Sequence, residues 1–224
     1  GYHLTEEQIQ ARPNPSFIGE GIEAERLFLS DDGQVVYKVY PKFRQEIHDT
    51  IGGESFLLNR ITYAILKQRQ IISRMSSALL PIDDVDEQTM TVSQRYLRNN
   101  GKKAKQKTYQ DVVKKQLQQD GVWDVLTDIH QGNIKLDTTG LPVVIDFIIK
   151  KTGNAWVQWT KANGELELYE NTIQTSVQEL YTHFPHVNVA QQMARERMES
   201  SAGMAGGVLE RSSFVPSRRS VDSL

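Results

Sequence analysis

The run Leu126-Thr127-Asp128-Ile129-His130-Gln131-Gly132-Asn133-Ile134-Lys135-Leu136 decides how this chain is read, together with Val143-Val144-Ile145-Asp146-Phe147, which follows a turn at Thr138-Thr139-Gly140. It sets an Asp, an Asn in the same loop, and a second Asp at the end of an apolar strand. Asp and Asn favour turns for local hydrogen-bond reasons, so each residue alone has an ordinary explanation. In this order the three match a demanding chemistry. Phosphoryl transfer from a nucleotide needs a carboxylate to accept the proton of the attacking hydroxyl, and a carboxamide and another carboxylate to hold Mg2+ against the phosphates.

The upstream chain decides whether a phosphate-holding half accompanies that set. Phe17-Ile18-Gly19-Glu20-Gly21, then Arg26 to Leu29, the turn Ser30-Asp31-Asp32-Gly33, and Gln34-Val35-Val36-Tyr37-Lys38-Val39-Tyr40 read as an antiparallel meander around a Gly pair and a D-G turn. Gly19-x-Gly21 lets backbone approach a phosphate with no Cβ in the way. The segment Glu54 to Leu66 places Leu57, Leu58, Ile61, Ala64 and Ile65 on one helical face. Leu79 to Asp86 and Thr89 to Leu97 add two strands, giving a five-stranded antiparallel sheet with one helix.

Downstream, Arg98 to Lys107 is a Lys-rich linker, and Tyr109, Val112, Val113 and Leu117 mark a helix that stops at Asp120-Gly121. After Asp146, alternation in Trp156 to Thr160 and Glu165 to Tyr169 around Asn163-Gly164 predicts a β-hairpin. Ile173, Val177, Leu180 and Tyr181 predict a helix, and Val189 to Met198 another. From Glu199 onward no apolar period remains, and a disordered tail is expected.

Asp128-x-His130-x-x-Asn133 with Asp146-Phe147 resembles the catalytic loop and metal-binding Asp of the protein-kinase-like fold. The His two residues after the first Asp is closer to atypical kinases and to antibiotic and choline phosphotransferases. Gly19-x-Gly21 resembles the glycine-rich loop, with Ala24 near the place of its third Gly, and Val35-Val36-Tyr37-Lys38-Val39 is similar to the strand that carries the phosphate-binding Lys. The resemblance covers roughly residues 17 to 182. It implies an α+β, two-lobed protein-kinase-like fold. Residues 1–16 form a leader, 17–97 an N-lobe of five antiparallel strands plus a helix, 98–198 a reduced, mainly helical C-lobe, and 199–224 the tail.

The roles it implies are specific. Asp128 is the proton acceptor, with Lys38 and Asn133 as further catalytic residues; Gly19, Gly21, Lys38, Glu54 and Tyr96 bind ATP; Asn133 and Asp146 bind Mg2+. Glu54, at the start of its helix, competes with Glu46 as the partner of Lys38, and Arg95, Tyr96 and Leu97 are the hinge candidates. His130 is expected to be structural or substrate-facing, because Mg2+ prefers oxygen ligands. Ile148 stands where regulated kinases carry a Gly hinge, and no A-P-E match occurs, so the usual internal switch is not expected.

This pared-down pattern resembles the minimal effector kinases, OspG-like or Hop-type, that bacterial pathogens deliver into host cells. The resemblance implies a serine/threonine-protein kinase, a virulence factor secreted into the host cytoplasm (otherwise cytoplasmic), acting on a host protein such as Hsp90 and expected to be a monomer. An aminoglycoside-type phosphotransferase and a nucleotide-binding pseudokinase acting as an interaction module are the alternatives.

The length allows one ordinary domain or two small lobes, with a core that needs no disulfide or metal staple. The chain has 224 residues, no Cys and a formal net charge of −2, so disulfides and thiolate metal sites are excluded and no global field draws it to nucleic acid or a membrane. No apolar run approaches the roughly 20 residues that span a bilayer.

Overall fold

The run Val35-Val36-Tyr37-Lys38-Val39 is β-branched and aromatic, which suits a pleated, half-buried surface, and it forms strand β3 (Val35–Val39) at the centre of the sheet. The computed structural model describes residues 17–19 (backbone only), 26–40, 42, 53–97 and 107–185. Strands β1 (Phe17–Gly19), β2 (Arg26–Leu29), β3, β4 (Ile82–Asp86) and β5 (Thr91–Arg95) form a five-stranded antiparallel sheet in the order β1-β2-β3-β5-β4. This is the sheet the sequence predicts. The β2–β3 turn is closed by Asp32, whose Oδ1 accepts from Ser30 Oγ at 2.6 Å and Gln34 N–H at 3.0 Å, while Gly33 takes φ +71.

Helix α1 (Glu54–Ser73) runs two turns beyond the expected end at Leu66. Its final turns read as polar in Lys67-Gln68-Arg69-Gln70, yet Gln68, Arg69 and Gln70 are buried. Ser73 ends the helix productively: its buried hydroxyl donates to Gln70 O and accepts from Ile82 N–H, which ties α1 to β4. One face of the sheet packs on α1 through Leu66, Ile82, Val85, Met90, Val92 and Tyr40.

Helix α2 (Lys107–Gln119) buries Val113 and Leu117 completely and stops at Gly121, as expected. Gly121 adopts φ +75, which lets Val122 N–H return to Leu117 O at 3.0 Å and Gly121 N–H to Gln118 O at 3.1 Å, so two orphan carbonyls of the last turn are satisfied. The linker residues 98–106 lie outside the described residues, as do the expected helix at Val189 to Met198, the leader and the tail.

The predicted β-hairpin over Trp156 to Tyr169 is replaced by two helices, α3 (Gly153–Ala162) and α4 (Gly164–His183). A tight hairpin turn at Asn-Gly needs positive φ, but Asn163 sits at φ −132 and its side chain accepts from Leu166 N–H at 3.0 Å. Asn163 is therefore an N-cap. Glu165 and Glu167 in the first turn add a favourable dipole interaction.

Helix α4 lies antiparallel along α1. Leu57, Leu58 and Ile61 pack with Leu180, Val177 and Phe184 at one end, and Gln68 meets Leu166 and Glu170 at the other. The largest core sits below, where Val113, Leu117, Val122, Val125, Ile134, Val144, Phe147, Trp156 and Leu166 meet. The described structure is thus α+β, with antiparallel sheets and four α-helices among the described residues. None of these helices is long and apolar enough to cross a membrane.

Candidate active site

Two short ladders bracket the decisive stretch. Strand β6 (Leu126–Thr127) pairs antiparallel with β9 (Ile148–Ile149), Thr127 facing Ile148, so Asp128 leaves one strand beside Phe147 entering the other. Strand β7 (Ile134–Leu136) pairs with β8 (Pro142–Val144), Ile134 facing Val144, and the register continues as Ile145 N–H donates to Asn133 O at 2.8 Å. The loop Asp128 to Asn133 is therefore held against the segment Ile145 to Phe147. Ile148 is part of a ladder, so the position expected to lack a flexible hinge is fixed by pairing with Thr127.

Within the loop, Asn133 is the anchor. It is 2% exposed, its Nδ2 donates to Asp128 O at 3.0 Å and lies 3.3 Å from Asp128 Oδ2, and its N–H bonds His130 O. With Nδ2 turned to Asp128, Oδ1 is the carboxamide atom available to serve as an oxygen ligand of the kind Mg2+ takes. Asp128 takes φ +65, a conformation uncommon outside Gly that Asp and Asn tolerate best. Its side chain is 41% exposed, so one face of the carboxylate meets solvent while Asn133 holds the other.

His130 completes the loop in a way the sequence did not specify. Its Nδ1 accepts the Gly132 N–H at 3.0 Å, capping the short 3-10 turn Gln131–Asn133. A ring nitrogen that accepts carries no proton, so in the neutral ring the proton is on Nε2. Nε2 lies 3.3 Å from Asp128 Oδ1.

Lys38 enters from the sheet. It lies opposite Leu27 and Val92, on the sheet face that packs on α1, and its Nζ donates to Ile145 O at 3.1 Å. The phosphate-type Lys expected from the sequence and the residue before Asp146 are thus in direct contact across 107 positions of chain. Asp146 itself is partly buried and follows Ile145.

The other expected site residues are placed less directly. Glu54 begins α1, where a carboxylate gains from the macrodipole. Gly19 ends β1; Gly21, Ala24 and the competitor Glu46 lie outside the described residues. Tyr96 follows β5, but its N–H is committed to Gln34 O at 2.8 Å, so an adenine cannot accept from that group. Its ring lies 6.0 Å from Lys135 Nζ, and neighbouring Leu97 packs with Leu80, Val143 and Ile145. No group of three or more His, Asp or Glu side chains converges on a metal position among the described residues.

Behind the site lies a polar cluster absent from the sequence reading. Glu170 Oε2 accepts from Lys151 Nζ at 2.9 Å and Gln68 Nε2 at 2.8 Å, and Lys151 Nζ lies 5.3 Å over the Trp156 ring. Burial pushes the Lys151 ammonium below its ordinary pKa, opposed by Glu170. Burial works to raise the Glu170 carboxyl, but the hydrogen bonds from Gln68 and Lys151 prevail and hold it low. The cluster joins the segment just after β9 to both α1 and α4.

No protein-family model matches this chain, and no curated protein or solved structure is significantly similar to it.

Proposed function

We propose that this chain is a minimal, atypical ATP- and Mg2+-dependent protein kinase, two-lobed in the manner of the protein-kinase-like fold, that phosphorylates a serine or threonine hydroxyl of a protein substrate. One observation carries the reading: Lys38, 107 positions before Ile145, reaches the Asp128–Asp146 stretch, linked through Lys38 Nζ to Ile145 O (3.1 Å), Ile145 N–H to Asn133 O (2.8 Å) and Asn133 Nδ2 to Asp128 O (3.0 Å). A turn in which Asp and Asn merely cap strands has no use for a lysine brought in from another sheet.

In this mechanism Asp128, half-exposed at its positive-φ position, would accept the proton of the substrate hydroxyl as its oxygen bonds to the γ-phosphorus of ATP, while the bond from that phosphorus to the β–γ bridging oxygen breaks and ADP leaves. Lys38 steadies the α- and β-phosphates, Glu54 is its helix partner, and the backbone at Gly19 and Gly21 covers them. Asn133 Oδ1 and Asp146 would hold Mg2+, which supplies neutralisation of charge on the phosphates. Asn133 also fixes Asp128 through its Nδ2, so positioning of the base and of the cation run through one buried side chain. The motif resemblance extends the proposal to a bacterial effector delivered into the host cytoplasm, with a host substrate such as Hsp90.

The test is incubation with γ-labelled ATP alone, with host-cell lysate and with an aminoglycoside panel. Label on lysate protein supports the proposal; label on an aminoglycoside makes the chain a small-molecule phosphotransferase; label nowhere makes it a pseudokinase. Asp128→Ala is expected to lower turnover by roughly 10²–10⁴-fold while nucleotide binding survives. Near-normal turnover in that variant removes the mechanism.

A further inference from the structure

We propose that His130 is a positioning residue for Asp128, fixing the carboxylate through its Nε2–H while its other ring nitrogen is locked by the loop backbone; the inference rests on the kinase reading above. The geometry has two linked parts. The Gly132 N–H reaches Nδ1 at 3.0 Å, which sets both the ring plane and the tautomer. In that tautomer the protonated Nε2 lies 3.3 Å from Asp128 Oδ1, while Asn133 Nδ2 lies 3.3 Å from Oδ2. Each carboxylate oxygen thus has one internal neighbour able to donate. Torsion of the Asp128 side chain is restrained from both sides, and its remaining lone pairs point to the 41% exposed face where a hydroxyl would arrive.

Asn133 Nδ2 also lies 3.3 Å from His130 Nε2, but both are donors in this tautomer, so that approach is a consequence of sharing one carboxylate and not a third hydrogen bond. Restraint of a base matters because turnover depends on near-attack geometry, in which small displacements of the accepting atom cost rate without changing nucleotide affinity. His130 does not need to exchange a proton with the substrate. Its contribution passes through Asp128.

Two substitutions separate this role from a loop-capping one. His130→Asn keeps an acceptor at the place of Nδ1 for Gly132 N–H and loses reach to Asp128; His130→Gln keeps a distal donor for Asp128 and loses the near acceptor. For the full chain with ATP and a phosphorylated lysate substrate, His130→Asn is expected to lower kcat about 10- to 100-fold, the worth of one hydrogen bond to a charged group. KM for ATP should stay within about twofold, since the nucleotide contacts are untouched. His130→Gln should recover most of that loss.

A second readout does not use activity: nitrogen-15 spectra of the wild-type ring should show a protonated Nε2 and a bare Nδ1, with the Nε2 signal moving in Asp128→Asn. This decides the matter even where a variant melts early. A proton on Nδ1, or full kcat in a stably folded His130→Asn, overturns the inference while leaving the kinase reading intact. A wild-type chain that labels no acceptor overturns the kinase reading, and the inference falls with it.

Discussion

Replacing Glu170 by Gln keeps the shape of a side chain that receives two hydrogen bonds on one oxygen, from Gln68 at 2.8 Å and Lys151 at 2.9 Å, and removes only its charge. Removing one partner of a fully buried ion pair costs about 3–5 kcal/mol. Here the Lys151 and Glu170 side chains keep 27% and 15% of their exposure, and Gln still offers an acceptor, so screening and the retained hydrogen bond bring the expected cost to about 2 kcal/mol. At about 2–4 °C per kcal/mol for a protein of this size, the melting temperature should fall by about 4–8 °C at pH 7.

The pH dependence supplies the sharper signature. Without Glu170, burial and the nearby Arg69 charge hold the Lys151 ammonium further below its ordinary value of 10.5, whereas the unfolded chain still titrates at 10.5. Between those two values the unfolded state binds more protons than the folded state, so the variant gains stability as pH rises, and its deficit relative to wild type narrows toward pH 10. Thermal melts followed by circular dichroism at pH 7 and 9.5 measure both quantities. A variant melting within about 2 °C of wild type at pH 7, or a deficit that does not shrink at pH 9.5, refutes the assignment of this cluster as a buried charge clamp.

Leu180→Ala removes a fully buried side chain from the α1–α4 seam and should cost about 2–5 kcal/mol in urea unfolding; a cost under 1 kcal/mol would mean the helices do not pack as described. On the proposed mechanism, Asp146→Asn should weaken Mg2+-nucleotide binding in calorimetry without loss of fold, whereas unchanged Mg2+ dependence would remove Asp146 as a proposed cation ligand. On the acid side, the Ser76 hydroxyl and Gln116 amide hold the Asp120 carboxyl below its ordinary 3.8, so that stability is present above 3.8 and is lost as pH falls through the lower folded value. Asp120→Asn should therefore flatten the acid limb of the stability profile, and an unchanged limb would show that Asp120 has no part in it.

What could be read in the sequence is what depends on near neighbours. The Asp128 to Asn133 loop, the Gly33 and Gly121 turns and the five strands follow from local chemistry, and the structure has each of them. The helix expected from Ile173 to Tyr181 is the second half of α4, whereas α3 and the first turns of α4 read as a hairpin because a short alternating run fits either period, and Asn163 serves a hairpin turn or an N-cap equally well until its φ is known. The last turns of α1 were missed for a different reason. Gln68 looks solvent-facing by type, and its burial depends on Glu170, about a hundred residues away. A structural or substrate-facing place for His130 was expected, but its partner was not legible, because nothing in D-x-H-x-x-N says that Gly132 N–H will meet Nδ1.

The antiparallel seam between α1 and α4 also sets an order of events at the ribosome. Leu57, Leu58 and Ile61 are synthesised early, but the residues that cover them, Val177, Leu180 and Phe184, come more than a hundred positions later. At about 5–20 residues per second of synthesis, the apolar stripe of α1 stays uncovered for several seconds in every nascent chain. The contact spans more than a hundred positions of chain, so its closure comes late and slowly. During that interval the nascent chain presents a helix with an uncovered Leu and Ile stripe to whatever holds or transports unfolded polypeptides.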